Sequence, residues 1–207
     1  FRVTEIALSP GALSQFDDAP VLQAASLLAD AKVDAIAWSG TSASWLGFDR
    51  DAKLCHAIHD ATGVPATSSV LALNEALSGL GTQRLGLVTP YSADVQARIM
   101  ANYAAAGIPC VAERHVGLRD NFSFAEVTEA QLQAMVREVS QAGADTVAIL
   151  CTNLRGAPLA ARLEAELGMP VLDSVATALW GALRLAGADP GGITGWGGLF
   201  RLSTVAA

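Results

Sequence analysis

A short phrase occurs twice in the chain. Asp34-Ala-Ile-Ala-Trp-Ser-Gly-Thr-Ser42 aligns without a gap on Asp145-Thr-Val-Ala-Ile-Leu-Cys-Thr-Asn153. Asp34 matches Asp145, Ala37 matches Ala148, and Thr41 matches Thr152. Each copy starts as an apolar run that reads as a buried strand of a parallel sheet. Each ends in small polar residues at the carboxyl end of its strand, where ligands bind in open α/β sheets. Gly40 falls where Cys151 falls. An internal repeat of this kind restricts the fold to two like units.

The repeat continues downstream. Gly63-Val-Pro-Ala-Thr-Ser-Ser-Val70 mirrors Gly168-Met-Pro-Val-Leu-Asp-Ser-Val175. Each reads as a Gly-x-Pro strand followed by a Ser-capped helix. Around these phrases the pattern predicts strands at 2–8, 33–38, 84–88, 109–116, 145–150 and 168–172. Helices are predicted from Asp17-Asp-Ala-Pro20 onward and at 49–62, 70–80, 93–106, 128–142, 158–167 and 175–186. Strands alternating with helices imply an α/β fold with parallel sheets. Residues 1–80 are expected to form one lobe and 81–174 the other, with the segment 175–207 packing back on the first. Lobes that face each other would set Gly40 and Cys151 on opposite walls of one cleft. The second copy has two strands before its key strand and the first has one. On that symmetry a further strand and helix, about 30 residues at ordinary element lengths, are expected ahead of Phe1 in the natural protein.

Composition narrows the partners. Of 207 residues, 52% are hydrophobic and 16% charged, which describes a well-buried globular chain. No apolar run approaches the ~18 residues of a membrane span. The net charge is -7, and Arg155, Arg162 and Arg184 are scattered with no basic stripe, so nucleic acid is not expected. Cys55, Cys110 and Cys151 lack CxxC or zinc spacing, and no leader is evident. Reduced thiols in a cytoplasm follow. Gly195-Trp-Gly-Gly198 lacks the strand before it and the helix after it that a dinucleotide fingerprint needs. His56 and His59 share a helix face without a third ligand, which reads as a solvated face. Neither a metal nor a cofactor is expected, and a homo-oligomer stays open.

Cys151 is the candidate reacting group. A thiol there could be a nucleophile, a general acid, or an alternating acid and base. Its free pKa of ~8.5 suits each use. Cys55, inside a helix pattern, and Cys110, at the start of a strand, read as packing residues. Thr41, Ser42, Tyr91, Thr152 and Asn153 would supply donors for a carboxylate and for negative charge that grows during reaction.

These residues resemble the aspartate/glutamate racemase superfamily. Gly40-Thr-Ser42, Tyr91, Cys151, Gly168-x-Pro170, Trp180, Arg184-Leu-Ala-Gly187 and Gly195-x-Gly197-x-Leu-Phe200 are most similar to its arylmalonate decarboxylase branch. The resemblance implies two pseudo-symmetric lobes, each a parallel four-stranded, flavodoxin-like sheet flanked by helices, with the active site between them. It also implies a cofactor-independent decarboxylase of a disubstituted malonate-type dicarboxylate. Gly40 would replace the first of the superfamily's two cysteines. The Gly-Thr-Ser, the tyrosine and the cysteine segment would hold one carboxylate, and Cys151 would protonate the enediolate. Cys151-Thr-Asn153 and Asp120-Asn-Phe-Ser-Phe124 resemble maleate cis-trans isomerases instead. Thr152 and Asn153, bulkier than the glycines of the decarboxylase, favour a smaller or more polar substrate. The alternatives are an isomerase or racemase of a small dicarboxylate or amino acid, and a carboxylate-binding protein without turnover.

Overall fold

The computed structural model describes residues 5–13 and 15–202. Among these the elements run in order from α1 (Pro10–Leu13) and α2 (Ala19–Asp30) to β1 (Ile36–Trp38), α3 (Ala43–Leu46) and α4 (Phe48–Thr62). They continue through β2 (Ala66–Ser68), α5 (Ser69–Gly79), β3 (Leu85–Thr89), α6 (Ala93–Ala105) and β4 (Cys110–His115). Next come α7 (Glu129–Gln141), β5 (Thr146–Ile149), α8 (Ala157–Leu167), β6 (Val171–Asp173) and α9 (Ser174–Leu185), followed by two short 3-10 turns at Pro190–Gly192 and Gly198–Arg201. All sheet pairs are parallel: β1 with β2, and a second sheet in the order β4-β3-β5-β6. This is the two-lobed α/β architecture that the repeat predicts.

The two copies share one register. Ile36 stands opposite Ala66 and Val147 opposite Val171; Trp38 stands opposite Ser68 and Ile149 opposite Asp173. Each of these pairs is the counterpart of the other under the sequence repeat. The caps match too. Gly63 ends α4 at φ 71° and Gly168 ends α8 at φ 67°, both left-handed. Only glycine adopts that conformation without strain, which is why Gly-x-Pro punctuates both copies. Ser68 then accepts from the Leu71 amide at 3.0 Å, and Asp173 accepts from Val175 and Ala176 at 2.8 and 3.1 Å.

Burial accounts for the apolar runs. Every residue of β3 and of β5 is buried, and α7 packs against both strands. Helix α9 packs along α5 and against β1 and β2. One core takes in Leu77, Leu87, Val147, Trp180 and Phe200. A smaller cluster of Ala25, Ile36, Leu54 and Ile58 joins α2 and α4 to β1, with Trp38 packed against it.

Two expectations change. The strand expected at 2–8 does not form over its described part: Glu5 makes an isolated antiparallel bridge with Asp120, and helix α1 soon follows. Its neighbours Ile6 and Ala7 are both buried, so side chains do not alternate as strand residues on a half-buried sheet do. The Ile6 amide is spent on the Arg119 carbonyl at 2.9 Å. Residues 1–4 of that stretch lie outside the described residues. The first lobe's sheet accordingly shows two strands among the described residues, whereas the second shows the expected four.

Candidate active site

The carboxyl ends of β1, β3 and β5 converge on a cavity of about 510 Å³. Gly40, Thr41, Ser42, Tyr91, Cys151, Thr152 and Asn153 all line it. The repeat therefore places its two unequal phrases around one space. No Lys, Arg or His is among the lining residues. Among the described residues, the groups offered to an anion here are hydroxyls and amides.

Tyr91 is the centre of the hydrogen bonding. Its hydroxyl lies 2.7 Å from Thr41 Oγ1 in a buried bond. It also faces the Cys151 thiol, whose pKa it pulls down. Its ring is fixed edge-on between Trp45, at 5.1 Å between centroids, and Phe124, at 5.5 Å. Such edge-to-face contacts set ring orientation as well as burying area. The Tyr91 amide donates to Thr89 Oγ1 at 3.3 Å, which anchors the turn after β3.

Cys151 is 3% exposed yet lines the cavity. Burial pushes its thiol up to about 11, and the nearby Asp173 carboxylate adds to that. The Tyr91 hydroxyl and the amides of Asn153 and Leu154 oppose the rise. The Asn153 amide approaches Sγ at 3.4 Å. A thiol in this setting is neutral at pH 7, which fits it to give a proton rather than to attack as a thiolate. Burial likewise holds the Tyr91 phenol well above its usual range, with the Cys151 sulfur adding to the effect.

The donors take different parts. Ser42 stands at the N-cap of α3 with no capping bond from its side chain. The Ser44 hydroxyl, in contrast, is spent on the Thr41 carbonyl at 2.6 Å. The Asn153 side-chain amide donates to Asn121 O at 2.8 Å and Asn121 Oδ1 at 2.9 Å. Its side-chain N–H groups thus tie the loop after β5 to the loop at 120–124, while its backbone N–H faces the thiol.

The remaining sequence candidates lie elsewhere. Burial pushes the thiols of Cys55 and Cys110 up to about 12, and neither lines this cavity. His56 is an exposed partner of Asp60 on α4 at 3.4 Å. His115 Nδ1 lies 2.9 Å from Glu113 Oε2. No cluster of metal-ligating side chains occurs among the described residues. No helix among them is long and apolar enough to cross a membrane.

The aromatic part of the wall has no counterpart among the expected site residues. Phe16, Trp38, Trp45 and Phe122 line the cavity with Tyr91. Phe122 is 64% exposed at its edge. These residues come from separate stretches and carry no shared motif. The local signals are Trp38, the bulky last residue of β1, which the repeat aligns with Ile149, and Phe122 in the loop Asp120 to Phe124.

Comparison with known proteins gives this arrangement a family. The chain is 33% identical over 164 residues to an arylmalonate decarboxylase of Bordetella bronchiseptica, covering 78% of the chain and 68% of that protein. It is 27% identical over 170 residues to a maleate isomerase of Pseudomonas putida, covering 79% of the chain and 68% of that protein. Among solved structures, a double mutant of arylmalonate decarboxylase in its liganded form superposes with a TM-score of 0.85 at 28% identity, covering 97% of this chain and 86% of that one. A Nocardia farcinica maleate cis-trans isomerase shares the fold, with a TM-score of 0.85 at 23% identity. The family model described as arylmalonate decarboxylase matches residues 7–200, and the chain belongs to that family.

Proposed function

We propose that the protein is a cofactor-independent decarboxylase of a disubstituted malonate-type dicarboxylate. The observation that carries this reading is a single neutral thiol facing a wall that has glycine in the equivalent place. Proton exchange on both faces of a carbon needs an acid or base on each side. Decarboxylation followed by protonation needs only one. The similarity to the Bordetella arylmalonate decarboxylase supports the same choice.

In this mechanism one carboxylate sits among Thr41, Ser42, Tyr91, Thr152 and the backbone around Asn153. The carbon–carbon bond to the second carboxylate breaks and CO2 leaves toward the aromatic wall. The bonding pair stays on the α-carbon and spreads into the retained carboxylate as an enediolate. Preformed hydroxyl and amide donors stabilise that growing charge. Cys151 then gives its Sγ proton to the α-carbon, and the thiolate recovers a proton from solvent. A thiol raised to about 11 makes that recovery favourable at neutral pH. Five aromatic rings around the cavity favour an apolar substituent on the substrate over the smaller or more polar one that Thr152 and Asn153 suggest in the sequence. The assignment of 1–80 and 81–174 to two lobes, with the segment from 175 onward returning to the first, belongs to the same proposal. Soluble cytoplasmic residence and self-association remain part of it as well.

The test is CO2 release from a panel of α-substituted malonates, with Cys151→Ala as control. Release from the wild type with none from the variant is expected. Undiminished release from the variant would remove Cys151 from the mechanism. A second reading, isomerisation of a small dicarboxylate, draws on Thr152 and Asn153 beside the thiol and on the maleate isomerase relatives. Conversion of maleate to fumarate, or α-deuterium uptake without CO2, would establish it in place of the first.

A further inference from the structure

Trp38 and Gly40 occupy one piece of space between them. The Gly40 amide donates to the Trp38 carbonyl at 2.9 Å, so the chain turns back tightly at the end of β1. That turn brings Gly40 against the indole of Trp38. A Cβ on residue 40 would lie 2.4 Å from Cε2 and 2.6 Å from both Cζ2 and Nε1. Carbon atoms in contact sit about 3.5–4.0 Å apart, so the ring already fills the position of any side chain at 40. The equivalent pair in the second lobe is Ile149 and Cys151. There the strand residue is smaller and the turn residue reaches the cavity. In the first lobe bulk has moved from position 40 to position 38. Both Trp38 and Gly40 line the cavity that Cys151 enters.

We propose that Trp38 is the specificity-determining residue of this site: its indole stands where a second reacting side chain would stand and forms the wall facing Cys151. This rests on the decarboxylase reading for the reaction but not for the packing. A rigid ring has two consequences. It offers a flat apolar surface on which a planar α-substituent stacks well and a branched, three-dimensional one does not. Its carbon surface also supplies no acid or base, so the α-carbon takes its proton from the thiol side alone.

The test uses the intact protein with α-methyl-α-phenylmalonate (the phenylmalonate) and its 4-tert-butylphenyl analogue (the branched substrate) as probes, whose aryl groups stabilise the carbanion alike. Wild type should favour the phenylmalonate in kcat/KM by about tenfold or more, the scale on which pocket shape discriminates apolar groups. Trp38→Leu should bring the two within about threefold on that same scale, chiefly by gain on the branched substrate. Gly40→Ala should displace the ring and shift the ratio the same way. On the Trp38→Leu background it should add nothing, because residues sharing one contact are not additive. An unchanged ratio in Trp38→Leu, or equal effects of Gly40→Ala in both backgrounds, would overturn the proposal. Ligand-induced thermal shifts in Cys151→Ala proteins separate this from the reaction itself. Selective binding of phenylmalonate that is lost with Trp38, without turnover in the active protein, sinks the decarboxylase reading and keeps Trp38. Turnover with an indifferent ratio does the reverse, and no binding of either probe overturns the Trp38 proposal.

Discussion

The Tyr91 hydroxyl lies 2.7 Å from Thr41 Oγ1 and couples the loop after β1 to the turn after β3. The bond is buried and spans the boundary between the two halves of the repeat. Both groups face the cavity, and Tyr91 also meets the Cys151 thiol. Tyr91→Phe keeps the ring packing against Trp45 and Phe124 and removes only the oxygen. It should lower kcat by about 10²-fold, as loss of one preorganised donor does. Stability should fall by about 1 kcal/mol, since Thr41 loses its buried partner. Steady-state CO2 release and urea denaturation measure the two effects.

The proposed acid catalysis by Cys151 predicts its own pH signature. The thiol is pushed up to about 11, chiefly by burial. A proton donor of that kind works through neutral pH and loses activity only as the solution approaches its pKa. A thiolate nucleophile would gain activity over the same range. The kcat profile from pH 6 to pH 10 should therefore be flat in any contribution from this thiol, with a fall at the alkaline end. A steady rise with pH would reassign the thiol.

Asp173 predicts a stability effect of opposite character to the usual carboxylate. It caps α9, yet burial pushes it up to about 6 from a reference value of 3.8. Between those values the folded state holds a proton that the unfolded state releases. Its contribution is therefore complete below about pH 4 and is lost as pH rises through 6. Asp173→Asn carries no ionisation, and asparagine also caps helices. The loss of stability between pH 4 and pH 7 should shrink by on the order of 2 kcal/mol relative to wild type. Urea midpoints at the two pH values decide it.

Asn153 ties two loops rather than offering its side-chain amide to the cavity. Both bonds go to Asn121, at 2.8 and 2.9 Å. Asn153→Ala should free the loop at 120–124 and raise KM several-fold, with kcat less affected and stability lowered by no more than about 1 kcal/mol. A matching fall in kcat with KM unchanged would place the residue in the transition state instead.

Gly168 tests the repeat itself. Its φ is 67°, and open space surrounds the position of an added Cβ. Gly168→Ala therefore meets no clash and pays only for the left-handed backbone, about 1 kcal/mol. Gly63→Ala should cost the same, because it ends α4 at φ 71° in an equally open setting. Paired urea titrations compare them.

Much of this frame is legible in the sequence because its signals are local. Buried strands such as Val147–Ile149 have to be apolar throughout, and the left-handed caps at Gly63 and Gly168 have to be glycine. The residues at the strand ends, Gly40 to Ser42 and Cys151 to Asn153, follow directly from that frame. Tyr91 follows from the turn after β3. The aromatic wall is different. Phe16, Trp38, Trp45 and Phe122 meet only once the lobes are packed, and each alone reads as an ordinary core residue. The bond between Asn153 and Asn121 joins loops far apart in the chain and leaves no pattern in either. Glu5 to Leu8 misleads for the same reason, since its backbone partners at Arg119 and Asp120 come from across the fold.

The shared register of β1–β2 and β5–β6 has a further consequence. Two sockets of the same backbone shape are present in one chain, as a duplicated ancestor would leave them. Chemistry in such a chain can be rewritten one side chain at a time, because the scaffold under each socket needs no redesign. Cys151 stands in the place of Gly40 and Ile149 in the place of Trp38, so two letters in each phrase account for the difference between the two sockets.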